Sequence, residues 1–146
     1  MPRTWSEDKK KLHAIIQEKA FLKGDFILSS GKKSNYYLDC RKITLSSEGV
    51  YYTAKIFLDM LKSETFDAIG GPTLGADPMV GALGVVALQS GKPVNTFIIR
   101  KEAKAHGGKR LIEGPELKKG STVIVIDDVA TTGKAFLHAL DVMEEA

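Results

Sequence analysis

Asp127 and Asp128 end the apolar run Val123-Ile124-Val125-Ile126, and Thr131, Thr132 and Gly133 follow closely. Two adjacent carboxylates can accept hydrogen bonds from two neighbouring sugar hydroxyls. A turn of hydroxyls and glycine that opens a helix can hold a phosphate dianion on its backbone amides. These residue types at this spacing point to a phosphorylated sugar. A second cluster comprises Arg100, Lys101, Lys104, Lys109 and Arg110, with His106 among them and only Glu102 opposing. Such a compact group of cations suits a small polyanion better than an extended nucleic-acid backbone.

The elements that must position these groups can be read from periodicity. Ser6 is a helix cap with Glu7 and Asp8 in the first turn, and Leu12, Ile15, Ile16 and Ala20 follow at helical spacing. Gly24 is expected to end that unit. Phe26-Ile27-Leu28 and Tyr36-Tyr37-Leu38 read as the strands of a hairpin with a polar turn over 29–35. Ser46 or Ser47 caps a helix with the stripe Val50, Ala54, Phe57, Leu58 and Leu61. A short strand over 66–69 leads into the Gly70–Gly75 loop. Asp77-Pro78 then starts a helix to about Gln89, as N-cap and first helical residue. That helix is apolar all round and is expected to be buried.

A strand over 94–99 and a polar functional loop over 100–115 come next. The opening strand follows, and a last helix carries Phe136, Ala139, Leu140 and Met143 on one face. Strands and helices alternate after residue 46, which predicts an α/β fold with a doubly wound, mainly parallel sheet. Ligands bind such sheets beyond the carboxyl ends of the strands, where the loops 70–76, 100–110 and 127–133 fall.

Bulk composition agrees with a single domain of 146 residues, 43% hydrophobic and 27% charged. No apolar run reaches a bilayer-spanning length, and the N-terminus has no apolar signal core. The cytoplasm is therefore the expected location. The lone Cys40 excludes an internal disulfide, and no Cys/His spacing suggests zinc. The net charge of +3 is too small to argue for nucleic acid. Lys9-Lys10-Lys11 reads as a solvated helix face. His13, His138, Cys40 and Trp5 read as structural.

Two nucleotide motifs fail. A Walker A loop would need glycine where Asp128 stands and Ser or Thr at Ala135, and its acids would repel a triphosphate. The loop Gly70-Gly71-Pro72-Thr73-Leu74-Gly75 does not match the dinucleotide pattern, and no acid ends a strand about twenty residues on.

An apolar strand, two acids and a small Thr/Gly turn resemble the 5-phosphoribosyl-1-pyrophosphate (PRPP) signature of the type I phosphoribosyltransferases. Three further segments resemble the orotate phosphoribosyltransferases in particular. These are the mobile catalytic loop at Arg100-Lys101-Glu102-Ala103-Lys104-Ala105-His106-Gly107, the hood at 26–37, and the pyrophosphate loop at 71–78. The resemblance runs from about residue 20 to the end. It implies a type I phosphoribosyltransferase-like fold, with a hood over about 1–45 and a core over about 46–146.

The implied reaction joins orotate to PRPP, giving orotidine 5′-monophosphate and pyrophosphate in de novo pyrimidine synthesis. Asp127 and Asp128 would hold the ribose hydroxyls, directly or through Mg²⁺-bound water. Val129, Ala130, Thr131, Thr132, Gly133, Lys134 and Ala135 would hold the 5′-phosphate, with Thr131 also near the base. Arg100, Lys101, Lys104 and His106 would neutralise the pyrophosphate. Tyr36 and Tyr37 would sit against orotate. Catalytic roles would fall to Lys101, Lys104, His106, Asp127 and Asp128. Mg²⁺ would bridge pyrophosphate and ribose oxygens, and a homodimer would share the 100–110 loop across subunits.

Some family members carry lysine where Ser29 and Gly75 stand, which leaves more of the cationic duty to the 100–106 loop. The family also continues into a further strand and helix with an orotate-recognising arginine, for which these residues offer no counterpart. PRPP binding is therefore expected to be better preserved than orotate binding. The alternatives are a non-catalytic PRPP-binding regulator and a transferase for a purine or other base. The basic loop favours an enzyme over a regulator, and the hood and loop sequences argue against a purine base.

Overall fold

The fold comes from a computed structural model that describes residues 5–28, 30–103 and 110–146. Helix α1 (Glu7–Ile15) starts where Ser6 accepts a hydrogen bond from the Lys9 amide at 3.4 Å. A π turn over Ile16–Ala20 passes directly into strand β1 (Phe21–Ile27). Gly24 does not end the helical unit; it lies inside β1. With φ +155° it sits where the register slips between Lys23 and Phe26, a bulge that favours glycine. β1 pairs antiparallel with β2 (Lys33–Leu38), so the hairpin strands are longer and the turn shorter than predicted. Pairing across the hairpin outweighs the polar character of residues 33–35.

Helix α2 (Arg41–Thr44) is a single turn leading to α3 (Ser47–Met60). Ser46 is its cap, accepting from the Gly49 amide at 3.2 Å. The main sheet contains β3 (Ala68–Pro72), β4 (Asn95–Ile99), β5 (Ile112–Glu113) and β6 (Val123–Val125), in the order β5-β4-β3-β6. β3 runs parallel to both β4 and β6, while β5 is antiparallel to β4. The expected mainly parallel sheet is present.

Two boundaries differ from expectation. Gly70, Gly71 and Pro72 belong to a wholly buried central strand rather than to a loop. A Cβ at Gly70 would collide with Phe97, and one at Gly71 with the Ile126 carbonyl, so glycine here permits close strand packing. The predicted 100–115 loop is interrupted by β5, where Ile112 and Glu113 pair with Ile99 and Ile98.

β3 alternates its side chains between two cores, as strand geometry requires. Ile69 joins Ala54, Met79, Val80, Leu83 and Ile126 on the side of α3 and α4 (Asp77–Gln89). Ala68 joins Phe97, Ile99, Ala139 and Val142 on the side of α5 (Lys134–Glu145). Helices therefore cover both faces of the sheet.

α4 corrects two expectations. Its N-cap is Ala76, with Asp77 as its first residue. It is not buried all round: Met79, Val80, Leu83 and Ala87 face the core, while Val85 and Leu88 are more than half exposed. On α5, Val142 is buried and Leu140 is exposed, so the inward face is rotated from the predicted one. No described helix is long and apolar enough to cross a membrane.

Candidate active site

Asp127 and Asp128 lie just past β6, where the Ile126 amide still donates to the Gly70 carbonyl at 2.8 Å. This contact with the central strand carries the acids to the carboxyl edge of the parallel sheet. The Asp128 amide donates to Asp127 Oδ1 at 2.9 Å. Burial pushes the Asp127 carboxyl above its ordinary value, and the Asp128 charge adds to this. The Asp128 amide and the Lys101 ammonium pull it the other way. The root of the basic loop is therefore electrostatically linked to the acid pair.

Both carboxylates lie over Gly75. A Cβ at that position would collide with the Oδ1 atoms of Asp127 and Asp128. The lack of a side chain at Gly75 is what allows the 73–76 turn to close on the acids. In the same turn, the Thr73 amide donates to the Ile99 carbonyl at 2.9 Å, tying it to the end of β4. Asp77 begins α4 beside this turn. Burial raises its carboxyl, and its buried Oδ1 has no hydrogen-bond partner among the described residues.

Beyond the acids, Val129, Ala130, Thr131 and Thr132 are exposed. Gly133 adopts φ +75° and caps α5 with no side-chain hydrogen bond. That left-handed residue turns the chain into α5 and leaves the first-turn amides without a side-chain partner. Lys134 and Ala135 open the helix and are also exposed. An anion can be held here on amides that the helix does not use.

The root of the basic loop is built differently. The Arg100 amide donates to the Leu111 carbonyl at 2.8 Å, and its Nε donates to the Glu102 carbonyl at 3.2 Å. Its guanidinium lies 3.9 Å from Glu113. Arg100 thus stands at the closed base of the loop, and the Lys101 charge reaches Asp127. Lys104 and His106 lie outside the described residues, as does Ser29.

Tyr36 and Tyr37 are adjacent on β2 and so point to opposite faces of the hairpin. Tyr36 stacks on Phe21 at 5.7 Å between centroids, and Tyr37 packs at a tilt on Phe26 at 5.6 Å. Leu38 shares a strand face with Tyr36 and lines a cavity of about 260 Å³ between the hood and α3. Leu12, Ile16, Met60, Asp127 and Asp128 line the same cavity. Cys40 lines it too; burial raises its thiol, and the charges of Asp128 and Asp39 raise it further. A thiol held protonated in this way is a poor nucleophile.

No family model matches the chain. The orotate phosphoribosyltransferase of Thermosynechococcus vestitus is 42% identical over 146 residues, all of this chain and 77% of that enzyme. The chain belongs to the orotate phosphoribosyltransferase family. The corresponding enzyme of a Nostoc species is 44% identical over 138 residues, 94% of this chain and 66% of its own length. The chain thus spans 66% to 77% of the length of these two relatives.

Among solved structures, Mycobacterium tuberculosis orotate phosphoribosyltransferase with Fe(III) dicitrate has a TM-score of 0.81 at 34% identity. That match covers 94% of this chain and 77% of the other. The same enzyme in complex with PRPP has a TM-score of 0.75 at 25% identity, covering 97% and 70%. The type I phosphoribosyltransferase fold is therefore shared with the rest of the family.

Within that frame, the structure brings Asp127 and Asp128 together, puts them within reach of the Lys101 charge and leaves the 129–135 turn open beside them. Sequence reading missed the packing role of Gly75, for which the doubled small residues of the 70–76 loop were the available signal. It also missed Glu113 beside Arg100, and the bond from His138 Nε2 to the Arg100 carbonyl at 3.2 Å. Neither contact has a local signature, because its partners are far apart in sequence.

Proposed function

We propose that this chain transfers the 5-phosphoribosyl group of PRPP to orotate in de novo pyrimidine synthesis. One observation carries the reading: the acid pair, packed on Gly75 and influenced by Lys101, shares a sheet edge with the open N-terminus of α5. Carboxylates for ribose hydroxyls, amides for a phosphate and cations for a pyrophosphate are thereby set around one volume.

In the reaction, the bond from C1 of the ribose to the pyrophosphate oxygen breaks, and the electron pair leaves on pyrophosphate. Orotate N1 supplies the pair for the new bond to C1, and its proton passes to the departing pyrophosphate. Negative charge grows on the departing group while C1 becomes cationic, so fixed cations and a held ribose lower the barrier. Asp127 and Asp128 hold the 2′- and 3′-hydroxyls. Val129 to Ala135 hold the 5′-phosphate, with Thr131 at its base-facing side. Lys101, Lys104 and His106, with Arg100 at the root of their loop, would neutralise the pyrophosphate. Tyr36 rather than Tyr37 is the better contact for orotate, since it shares the strand face of Leu38 beside the acids.

The acid pair also suits Mg²⁺. Its oxygens are hard donors, and a cation beside them offsets the burial and mutual repulsion that raise Asp127. Asp127 and Asp128 would hold the ion, which would supply charge neutralisation at the pyrophosphate. The family resemblance supports a homodimer that shares the 100–110 loop, and the outward Val85 and Leu88 give α4 apolar surface for a second copy. The substrates are small charged metabolites, which supports a cytoplasmic location. Residues 1–146 are read as one phosphoribosyltransferase domain.

The test is pyrophosphate release from PRPP with Mg²⁺, offering orotate, uracil, adenine and hypoxanthine separately. Release with orotate alone is expected. Release with a different base reassigns the acceptor, and PRPP binding without release under any of them refutes the transferase reading.

A further inference from the structure

We propose that the cavity between the hood and α3 is a second ligand site, for a compact apolar molecule that carries a protonated amine at one end. The site stands without the PRPP reading; only its antagonism with PRPP rests on that reading.

Leu12 of α1, Ile16 of the π turn, Leu38 of β2, Ile43 of α2, Phe57 of α3 and Met79 of α4 supply an apolar wall. The volume of about 260 Å³ exceeds the roughly 150 Å³ that takes up benzene, so a bicyclic ring with a short side chain fits. One hydroxyl on this wall lacks a partner. Thr44 is 5% exposed, and its Oγ1 has no hydrogen bond among the described residues. Thr53, also on the wall, is satisfied: its hydroxyl donates to the Gly49 carbonyl at 2.7 Å. A buried hydroxyl without a partner costs free energy, and a ligand group bonded to it removes that cost.

Charge selects the other end of the ligand. Asp127 and Asp128 line the same cavity, and among the described residues no lysine or arginine does. Two carboxylates beside an apolar wall repel an anion and attract an ammonium whose body the wall can bury. Orotate is an anion and a poor occupant, and Tyr36, its proposed contact, is not on the wall. An ammonium at the acid pair takes the place proposed for Mg²⁺ and the ribose hydroxyls. The amine and PRPP therefore exclude each other.

The probes are tryptamine, its neutral counterpart tryptophol and the anion indole-3-acetate, titrated by calorimetry into the full chain and its Thr44→Val variant. Tryptamine is expected to bind at least about tenfold more tightly than tryptophol, the scale of one charge-assisted hydrogen bond, with indole-3-acetate weakest. Saturating PRPP with Mg²⁺ should abolish tryptamine binding. Tryptamine should also slow the reaction of Cys40, the single cysteine and part of the wall, with methyl methanethiosulfonate. The indole N–H can donate to Thr44 Oγ1, so Thr44→Val should weaken tryptamine about fivefold. The Tm of that variant without ligand should hold or rise, and its PRPP affinity should match wild type.

Equal affinity for the amine and the acid, or no protection of Cys40, overturns the proposal. So does a tryptamine affinity unchanged in Thr44→Val, or a clear fall in the Tm of that variant. If PRPP binds and leaves tryptamine binding untouched, the amine is away from the acids and the proposal fails. A chain that binds no PRPP refutes the transferase reading, while the affinity order and the protection of Cys40 still decide the cavity.

Discussion

Asp127 occupies a costly environment, and the cost is part of its use. Burial and the Asp128 charge both disfavour its ionised form. The folded chain therefore holds this proton more tightly than the unfolded chain does. That penalty on stability is absent below the ordinary carboxylate range. It grows as pH rises from the ordinary value towards the elevated folded one and is fully present above that. Asp127→Asn keeps an acceptor for the Asp128 amide and removes the charge. We expect its Tm to exceed wild type at pH 7, with the difference vanishing in acid below the ordinary carboxylate value. Turnover should fall about 100-fold, the scale for losing one preorganised electrostatic contact. Thermal melts across pH and a pyrophosphate-release assay check both halves. Gly75→Ala acts at the same point from the other side, since its methyl meets both carboxylates. Overpacking of this kind costs about 1–3 kcal/mol, and PRPP affinity measured by calorimetry should fall with the Tm.

At the scale of elements, the junction from β6 to α5 is the part that sequence described best. A β-branched run, two acids, small polar residues and glycine are a local pattern, and local patterns need no distant partner to be read. Gly133 shows why: its φ of +75° is a requirement of the turn itself. Among the described residues, no heavy atom other than those of Gly133 and its chain neighbours lies within 4 Å of the place a Cβ would take there, so Gly133→Ala should suffer chiefly from backbone strain. We expect a loss of about 1–2 kcal/mol in Tm-derived stability and weaker ribose 5-phosphate binding, with Gly133→Asn milder in both. Boundaries elsewhere were less legible. The bulge at Gly24 and the buried Gly70-Gly71 pair follow from strand pairing, which overrides the usual reading of glycine as a stop.

The molecule as a whole is a sheet with two cores, and its stability rests on side chains that touch no substrate. Leu83, on the inner face of α4, is fully buried with Ile69, Met79 and Ile126. Leu83→Ala should cost about 2–5 kcal/mol, read as a lower denaturant midpoint. Activity per folded molecule should change little, because the acid pair is positioned by β3 and β6 rather than by α4. The amino-acid sequence alone determined the chemistry at the end of β6, the alternation of strands and helices, and the family that these residues resemble. Each of those is written in consecutive residues or in a fixed period. Tertiary structure decided that Gly75 carries the acids, that Tyr36 and Tyr37 face apart, that α4 leaves Val85 and Leu88 outside, and that His138 reaches the Arg100 carbonyl. These depend on which elements become neighbours in space, a matter of long-range packing that no local pattern encodes.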